Sequence, residues 1–78
     1  MTRYYFDIRD DTGLYPDEEG LECGTQREAE VEAAQTLADL TRNLLPMDER
    51  RDLVVEVRTN TERVFQVALV FNNRRVIQ

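Results

Sequence analysis

The chain contains no histidine, serine, lysine or tryptophan, and its 78 residues include one cysteine, Cys23. Without histidine, neither the usual zinc-ligand spacings nor a histidine general base can be built. A single cysteine excludes an internal disulfide, and a nucleophile with an activating partner cannot be assembled in the usual way. We therefore expect a protein that is not an enzyme and that binds no cofactor and no metal. For Cys23 itself we expect a small, partly buried apolar role, with a redox-sensitive intermolecular disulfide as the alternative.

Long apolar runs are also missing. No stretch approaches the roughly 20 residues that a membrane-spanning helix needs. The N-terminus, from Met1 to Phe6, enters an alternating strand pattern at once and lacks the apolar core of a signal peptide. These patterns predict a cytoplasmic protein that makes no contact with a membrane.

The short chain predicts a single domain over residues 1–78. A core of this size contributes a net stability of only about 3–5 kcal/mol, and small domains often add a disulfide, a metal or a partner subunit. The composition excludes the disulfide and the usual zinc sites. A homodimer is therefore the favoured source of additional stability.

The charge is acidic overall, at −6, but uneven. Residues 1–22 carry −5, residues 23–49 carry −4 and residues 50–78 carry +3, and every basic residue is an arginine. An acidic total argues against tight, non-specific binding of nucleic acid, which draws its affinity from neutralised phosphates. A nucleic-acid-binding or antitoxin-like regulator remains the alternative. It would use the arginines of the C-terminal third, which are Arg50, Arg51, Arg58, Arg63, Arg74 and Arg75.

One amphipathic helix is predicted from Thr25 to Leu45. Thr25 and Glu28 have the spacing of a capping box, and Pro46 ends the pattern. The apolar positions recur at intervals of three and four, as on one face of a helix. They are Ala29, Ala33, Leu37, Leu40 and Leu44, with Ala34, Ala38 and Leu45 widening the stripe. Alanines near the start predict close packing there.

Strands are predicted on both sides of this helix. Arg3 to Arg9 alternates as a half-buried strand does, and Gly13 supplies the positive φ of the turn that follows it. Residues 14–23 are predicted to form a short, broken second strand, antiparallel to the first. Pro16 restricts that strand to a sheet edge or a bulge, because proline cannot donate to the ladder.

Two further strands follow the helix, beyond a polar connection from Met47 to Asp52. They are predicted from Leu53 to Arg58 and from Val64 to Phe71, with a hairpin turn in which Asn60 tolerates left-handed geometry. Residues 72–75 close the domain, and residues 76–78 are expected either to extend a strand or to fray. The fold class is α+β, a two-layer β-β-α-β-β arrangement with one helix on an antiparallel sheet. The predicted core residues are Tyr4, Phe6, Ile8, Leu21, Ala33, Leu37, Leu40, Leu44, Val55, Val57, Phe65, Val67 and Leu69.

Two surfaces are candidates for function. An acidic loop could hold a hard cation through carboxylate oxygens, although it lacks the ligand pattern of an EF-hand, and a solvated turn is the favoured interpretation. Its residues are Asp10, Asp11, Asp17, Glu18, Glu19 and Glu22. The second is the sheet face away from the helix, where a contiguous apolar patch would indicate a partner. The predicted interaction surface is Tyr5, Val54, Arg58, Val64, Ala68 and Val70.

The first half of the chain resembles a small domain-of-unknown-function family that is frequent in rhizobia and related alphaproteobacteria. The resemblance rests on the Tyr-Tyr-Phe strand from Arg3 to Asp10, on Gly13, on the Pro-Asp-Glu-Glu-Gly loop of residues 16–20, and on the helix opening Arg27-Glu28-Ala29. Other members often carry histidine at the position of Asp7 and glycine at that of Asp11. The resemblance implies no activity, cofactor or catalytic residue.

Taken together, these patterns favour a small, non-enzymatic interaction or regulatory module. It is predicted to self-associate through the open sheet face or through an edge strand, most simply as a homodimer.

Overall fold

The structure, a computed structural model, describes residues 1–44 and 52–70. The elements follow the order β-β-β-α-β-β. They are β1 (Thr2–Asp10), β2 (Gly13–Tyr15), β3 (Leu21–Cys23), α1 (Gln26–Leu44), β4 (Leu53–Arg58) and β5 (Arg63–Leu69). All strand pairs are antiparallel, and α1 packs against β3, β4 and β5. The predicted two-layer α+β class is confirmed.

Strand β1 is the centre of the sheet, whose order is β2-β1-β4-β5. One side of β1 pairs with β4 throughout residues 5–9. The other side pairs with β3 at residues 2–4 and with β2 at residues 8–10. The predicted broken second strand is thus two short strands on one edge, and Pro16 lies in the loop between them.

The helix begins as the capping box predicts. The backbone N–H of Glu28 donates to Thr25 Oγ1 at 3.2 Å, which satisfies one of the free donors of the first turn. The Glu28 carboxylate turns back and accepts the N–H of Gly24 at 2.6 Å, one residue earlier than in the standard motif. Gly24 lies just outside the helix, so the same carboxylate anchors the chain that enters α1 from β3.

The core lies between α1 and the middle of the sheet. Ala29 and Ala33 are fully buried, as the close packing predicted for the helix start requires. The buried hydrophobic residues are Tyr4, Phe6, Cys23, Ala29, Ala33, Leu53, Val55 and Val57. The predicted core residues that are only partly buried are Ile8, Leu37, Leu40, Phe65, Val67 and Leu69.

Several side-chain predictions were wrong. Leu21 is 43% exposed, because β3 is at the sheet edge and only its last residue, Cys23, reaches beneath α1. Ala34 and Ala38 are exposed, so the buried stripe of the helix is narrower than predicted. Asn60 does not adopt positive φ.

The hairpin between β4 and β5 closes instead through Thr59. Its N–H donates to the Glu62 carbonyl at 2.8 Å, and its Oγ1 accepts the N–H groups of Thr61 and Glu62 at 3.3 Å. This side chain completes the turn without left-handed geometry at any of these residues.

Some predictions lie outside the described residues. They concern the side chain of Leu44, residues 45–51 including Pro46, and residues 71–78.

Candidate interaction surface

The outer face of the sheet, defined here as the face away from α1, displays side chains in rungs across the strands. Directly opposed residues share a face. One rung is Tyr5, Arg58 and Arg63, the next is Asp7, Glu56 and Gln66, and the third is Arg9, Val54 and Ala68. Positive and negative residues therefore occupy neighbouring positions on this face.

Glu56 connects two arginines from the strands on either side of it. Arg9 Nε donates to Glu56 Oε2 at 2.7 Å, and Arg63 Nη1 donates to Oε1 at 3.1 Å. The glutamate is only 9% exposed. The hydrogen bond from Arg9 lowers the pKa of Glu56; burial opposes this, and the charges of Arg9 and Arg63 reinforce it. Glu56 is held as a carboxylate that ties β1, β4 and β5 together.

A second ion pair lies one rung away. Arg58 Nε donates to Asp7 Oδ2 at 2.8 Å, and the guanidinium lies over the Tyr5 ring, with Cζ 4.5 Å from its centroid. Asp7 is 6% exposed. We refer to these two ion-paired groups, Arg9–Glu56–Arg63 and Asp7–Arg58, as the ionic ladder.

The loop of residues 16–20, called here the Asp17 loop, covers one side of the ionic ladder. The N–H of Asp17 donates to Asp7 Oδ1 at 2.9 Å, and its carbonyl accepts from Arg58 Nη2 at 3.2 Å. Its carboxylate accepts the backbone N–H of Phe6 at 3.1 Å, in the gap that β2 and β3 leave along β1. The side chain of Asp17 thus accepts a backbone hydrogen bond that a neighbouring strand accepts elsewhere along β1.

The Asp17 carboxylate also holds its own loop together. Its Oδ1 accepts the N–H of Glu19 at 3.1 Å and that of Gly20 at 3.2 Å. Burial alone would raise the pKa of Asp17, but these hydrogen bonds, the one from Phe6 and the charge of Arg58 outweigh burial and lower the pKa.

Several of the acidic side chains predicted to hold a cation therefore contact other partners in the fold. Asp17 is occupied by backbone donors, and Asp10 Oδ1 accepts the N–H and hydroxyl of Thr12 within the β1–β2 turn. Glu22 pairs with Arg3 at 2.9 Å. Within residues 1–44 and 52–70, no three acidic or cysteine side chains come close enough to hold a metal ion.

The predicted interaction surface is divided rather than contiguous. Val54 and Ala68 are paired across β4 and β5, and Val70, which is 67% exposed, follows at the same end of the sheet. Tyr5 and Arg58 contact each other near the opposite end, and the rung of Asp7 and Glu56 separates them from Val54. The sequence pattern could not indicate this division, because the register between β1 and β4 decides which charges meet.

Val64 was wrongly assigned to this face. A register shift opposite Val57 and Arg58 pairs Arg58 with Arg63 and Val57 with Phe65, which leaves Val64 as an extra residue. Val64 is partly buried and packs against the core. Arg63 replaces it on the outer face, where it reaches Glu56. A surface depression of about 190 Å³ borders this irregularity and is lined by Glu56, Val57, Arg63, Val64, Phe65 and Gln66.

Strand β5 forms the other edge of the sheet. Within the described part of the chain, β5 pairs with β4 on one side and with no strand on the other. Its seven residues contain no proline, no glycine and one charge, that of Arg63 at the start. Its helix-facing residues Phe65, Val67 and Leu69 are only partly buried. We call this unpaired side the β5 edge.

Two of the six arginines proposed for nucleic-acid binding already form ion pairs. Arg58 and Arg63 pair with Asp7 and Glu56, and the ring of Tyr5 is covered by Arg58. The other four lie outside the described residues. In the described part of the chain, no helix is long and apolar enough to cross a membrane.

A family described as a domain of unknown function (DUF6894) matches residues 3–70. No curated protein matches the chain. No solved structure matches it either.

Proposed function

This chain belongs to the DUF6894 family, a domain of unknown function. For this member of the family, we propose a role as a non-enzymatic protein-interaction module that self-associates in the cytoplasm. The observation that carries the proposal is the β5 edge. Exposed edge strands are templates for pairing with another chain, and proteins that remain monomeric usually protect them with charges, prolines, bulges or short length. Apart from Arg63 and the irregularity beside it, β5 has none of these protections.

A non-enzymatic role is supported by the state of the polar residues. The buried carboxylates Asp7 and Glu56 are each hydrogen-bonded to an arginine, so their charges hold the sheet together. The composition offers neither a histidine nor a serine to act with them. The chemistry of the outer face is therefore that of a structural ion-pair network.

The solution mass tests self-association directly. We expect light scattering across a concentration series to show a transition from about 9 to about 18 kDa, because the chain weighs 9.2 kDa. The series should be repeated at high salt. Edge pairing rests on backbone hydrogen bonds and apolar contacts, and it should persist when surface charges are screened. A mass of one chain at millimolar concentration would overturn the proposal.

Nucleic-acid binding is the second candidate, favoured only by the +3 charge of residues 50–78. It requires arginines that are not already neutralised by acids. Titration of labelled DNA and RNA probes at low salt provides the test, because phosphate contacts are strongest there. Probe binding that weakens steeply with added salt would support this candidate. Unchanged probe anisotropy at the highest protein concentration would dismiss it.

A further inference from the structure

We infer that a second copy of this chain occupies the β5 edge, with the two β5 strands antiparallel and Gln66 at the two-fold axis. This inference rests on the proposed self-association and specifies its geometry. The dimer would form one continuous sheet with both helices on the same face, and its outer face would carry two copies of the ionic ladder.

Symmetry restricts how two identical β5 strands can pair. An antiparallel pair in one sheet needs a two-fold axis perpendicular to that sheet, so each residue lies opposite one that faces the same side. Placing Gln66 on the axis centres the pair within the regularly alternating stretch from Phe65 to Leu69, and the irregularity at Arg63 and Val64 lies outside the regular pairing. It also pairs Phe65 with Val67 on the helix side, an aromatic with a β-branched residue, which is a favourable cross-strand combination.

The charges of the strand fit the same register. Arg63 is the only charged residue of β5. With Gln66 on the axis, the two Arg63 residues lie six positions apart along the strand, roughly 20 Å. An axis nearer the start of β5 would bring the two guanidinium groups together. The strand therefore pairs with its own copy without opposing like charges.

A second copy also accounts for the incomplete burial of β5. Phe65, Val67 and Leu69 form the more apolar face of this strand, yet each is only partly buried in one copy. Among the described residues, no side chain larger than valine is completely buried. Pairing β5 with its copy would extend the apolar layer across the axis and provide the stabilising partner that a short chain needs.

A charge swap at the axis tests the register. Gln66 is exposed, and only a residue on the axis lies opposite itself. We expect Gln66→Lys alone, or Gln66→Glu alone, to raise the dissociation constant of the dimer by up to about fivefold, because like charges then oppose each other. An equimolar mixture of the two variants should recover a dimer. Gln35→Lys, the same change at an exposed helix position, is the matched control and should leave the dissociation constant unchanged.

Disulfide trapping gives an independent measurement. Paired strand positions bring Cα atoms to within about 6 Å, a distance that a disulfide spans. We expect Gln66→Cys to form a covalent dimer under mild oxidation. Ala68→Cys, exposed on the same strand, should not, because its copies are roughly 13 Å apart. The unmodified chain provides the baseline, since its own thiol is buried.

These experiments test the register of the β5 pair separately from the proposed self-association. A dimer by light scattering that shows neither charge-swap recovery nor the Gln66→Cys cross-link would overturn the register while leaving self-association intact. Efficient cross-linking of Ala68→Cys would likewise overturn it. A monomer at every concentration would overturn both.

Discussion

The two edges of this sheet differ in how their backbone hydrogen-bonding groups are covered. Along β1, two strands of three residues each leave a gap, and the Asp17 loop fills it with a carboxylate that accepts the Phe6 N–H. Along β5, seven residues present an unpaired row of backbone groups with no such cover among the described residues. The first edge is closed by side-chain chemistry within one copy. The second leaves backbone groups unpaired within residues 1–44 and 52–70.

The difference shows that an edge can be protected by one well-placed side chain. The Asp17 loop has a proline that cannot donate at its start, the acceptor Asp17 next to it and a glycine at positive φ at its end. None of these is present in β5. The comparison predicts that changes in the Asp17 loop reduce the stability of the fold, whereas changes along the β5 edge alter assembly.

Removing the Asp17 carboxylate should have the largest effect. Asp17→Ala leaves the N–H groups of Phe6, Glu19 and Gly20 without their acceptor, and three hydrogen bonds at about 1 kcal/mol each give a loss of about 3 kcal/mol. Urea unfolding at neutral pH measures it. Glu18→Ala, at an exposed acidic residue of the same loop, is the control and should change stability by less than about 0.5 kcal/mol. Equal losses in both variants would contradict the role assigned to the Asp17 side chain.

Gly20→Ala should follow, with a loss of about 2 kcal/mol. Gly20 has φ +74°, and an added Cβ would lie 2.9 Å from Arg3 Cγ and 3.0 Å from the Tyr4 carbonyl oxygen. Gly13→Ala is the matched comparison, because Gly13 also has positive φ but open space around it. Its loss should be smaller, about 1 kcal/mol. Thermal unfolding of both variants measures the difference, and a larger loss at Gly13 would mean that crowding at Gly20 is relieved.

Acid should weaken the fold through Asp17 and Glu56. Their pKa values are lower in the folded chain than in the unfolded one, so the stability they add is fully present above about pH 4.3 and is lost as the pH falls through the folded values. Urea midpoints from pH 6 to pH 3 should fall less for Asp17→Asn than for the parent. Parallel profiles would show that Asp17 does not contribute. The β5 strand has no carboxylate, so we expect assembly to persist until the fold itself is lost.

The smallest effect is expected at the Arg3–Glu22 pair. Both side chains are about half exposed, and such surface pairs contribute about 0–1 kcal/mol. Glu22→Gln should therefore change the free energy of unfolding by less than about 0.5 kcal/mol, as read from urea midpoints. A loss comparable to that of Asp17→Ala would mean that β3, rather than the Asp17 loop, closes this edge.

Much of the architecture could be predicted because it depends on local periodicity. The helix, its capping box and the bounds Leu53–Arg58 follow from spacing alone. The ionic ladder could not be predicted, because it depends on β1 lying beside β4, a contact 47 residues apart between Arg9 and Glu56. The outward-facing position predicted for Val64 was wrong for a similar reason, since a bulge interrupts the alternation of side chains between the two faces of a strand. Asp17 appeared as one acid among six, and no pattern distinguishes an acid that accepts backbone N–H groups from a solvated one.

The reactivity of the Cys23 thiol can report local opening of the fold. Its thiol is buried where β3 meets the start of α1, and burial, together with the charges of Glu28 and Glu32, raises its pKa. Alkylating reagents can reach the sulfur only after β3 separates from the helix. The rate of labelling in the native protein therefore measures how often that separation occurs, and its dependence on urea distinguishes fraying of one short strand from unfolding of the whole domain.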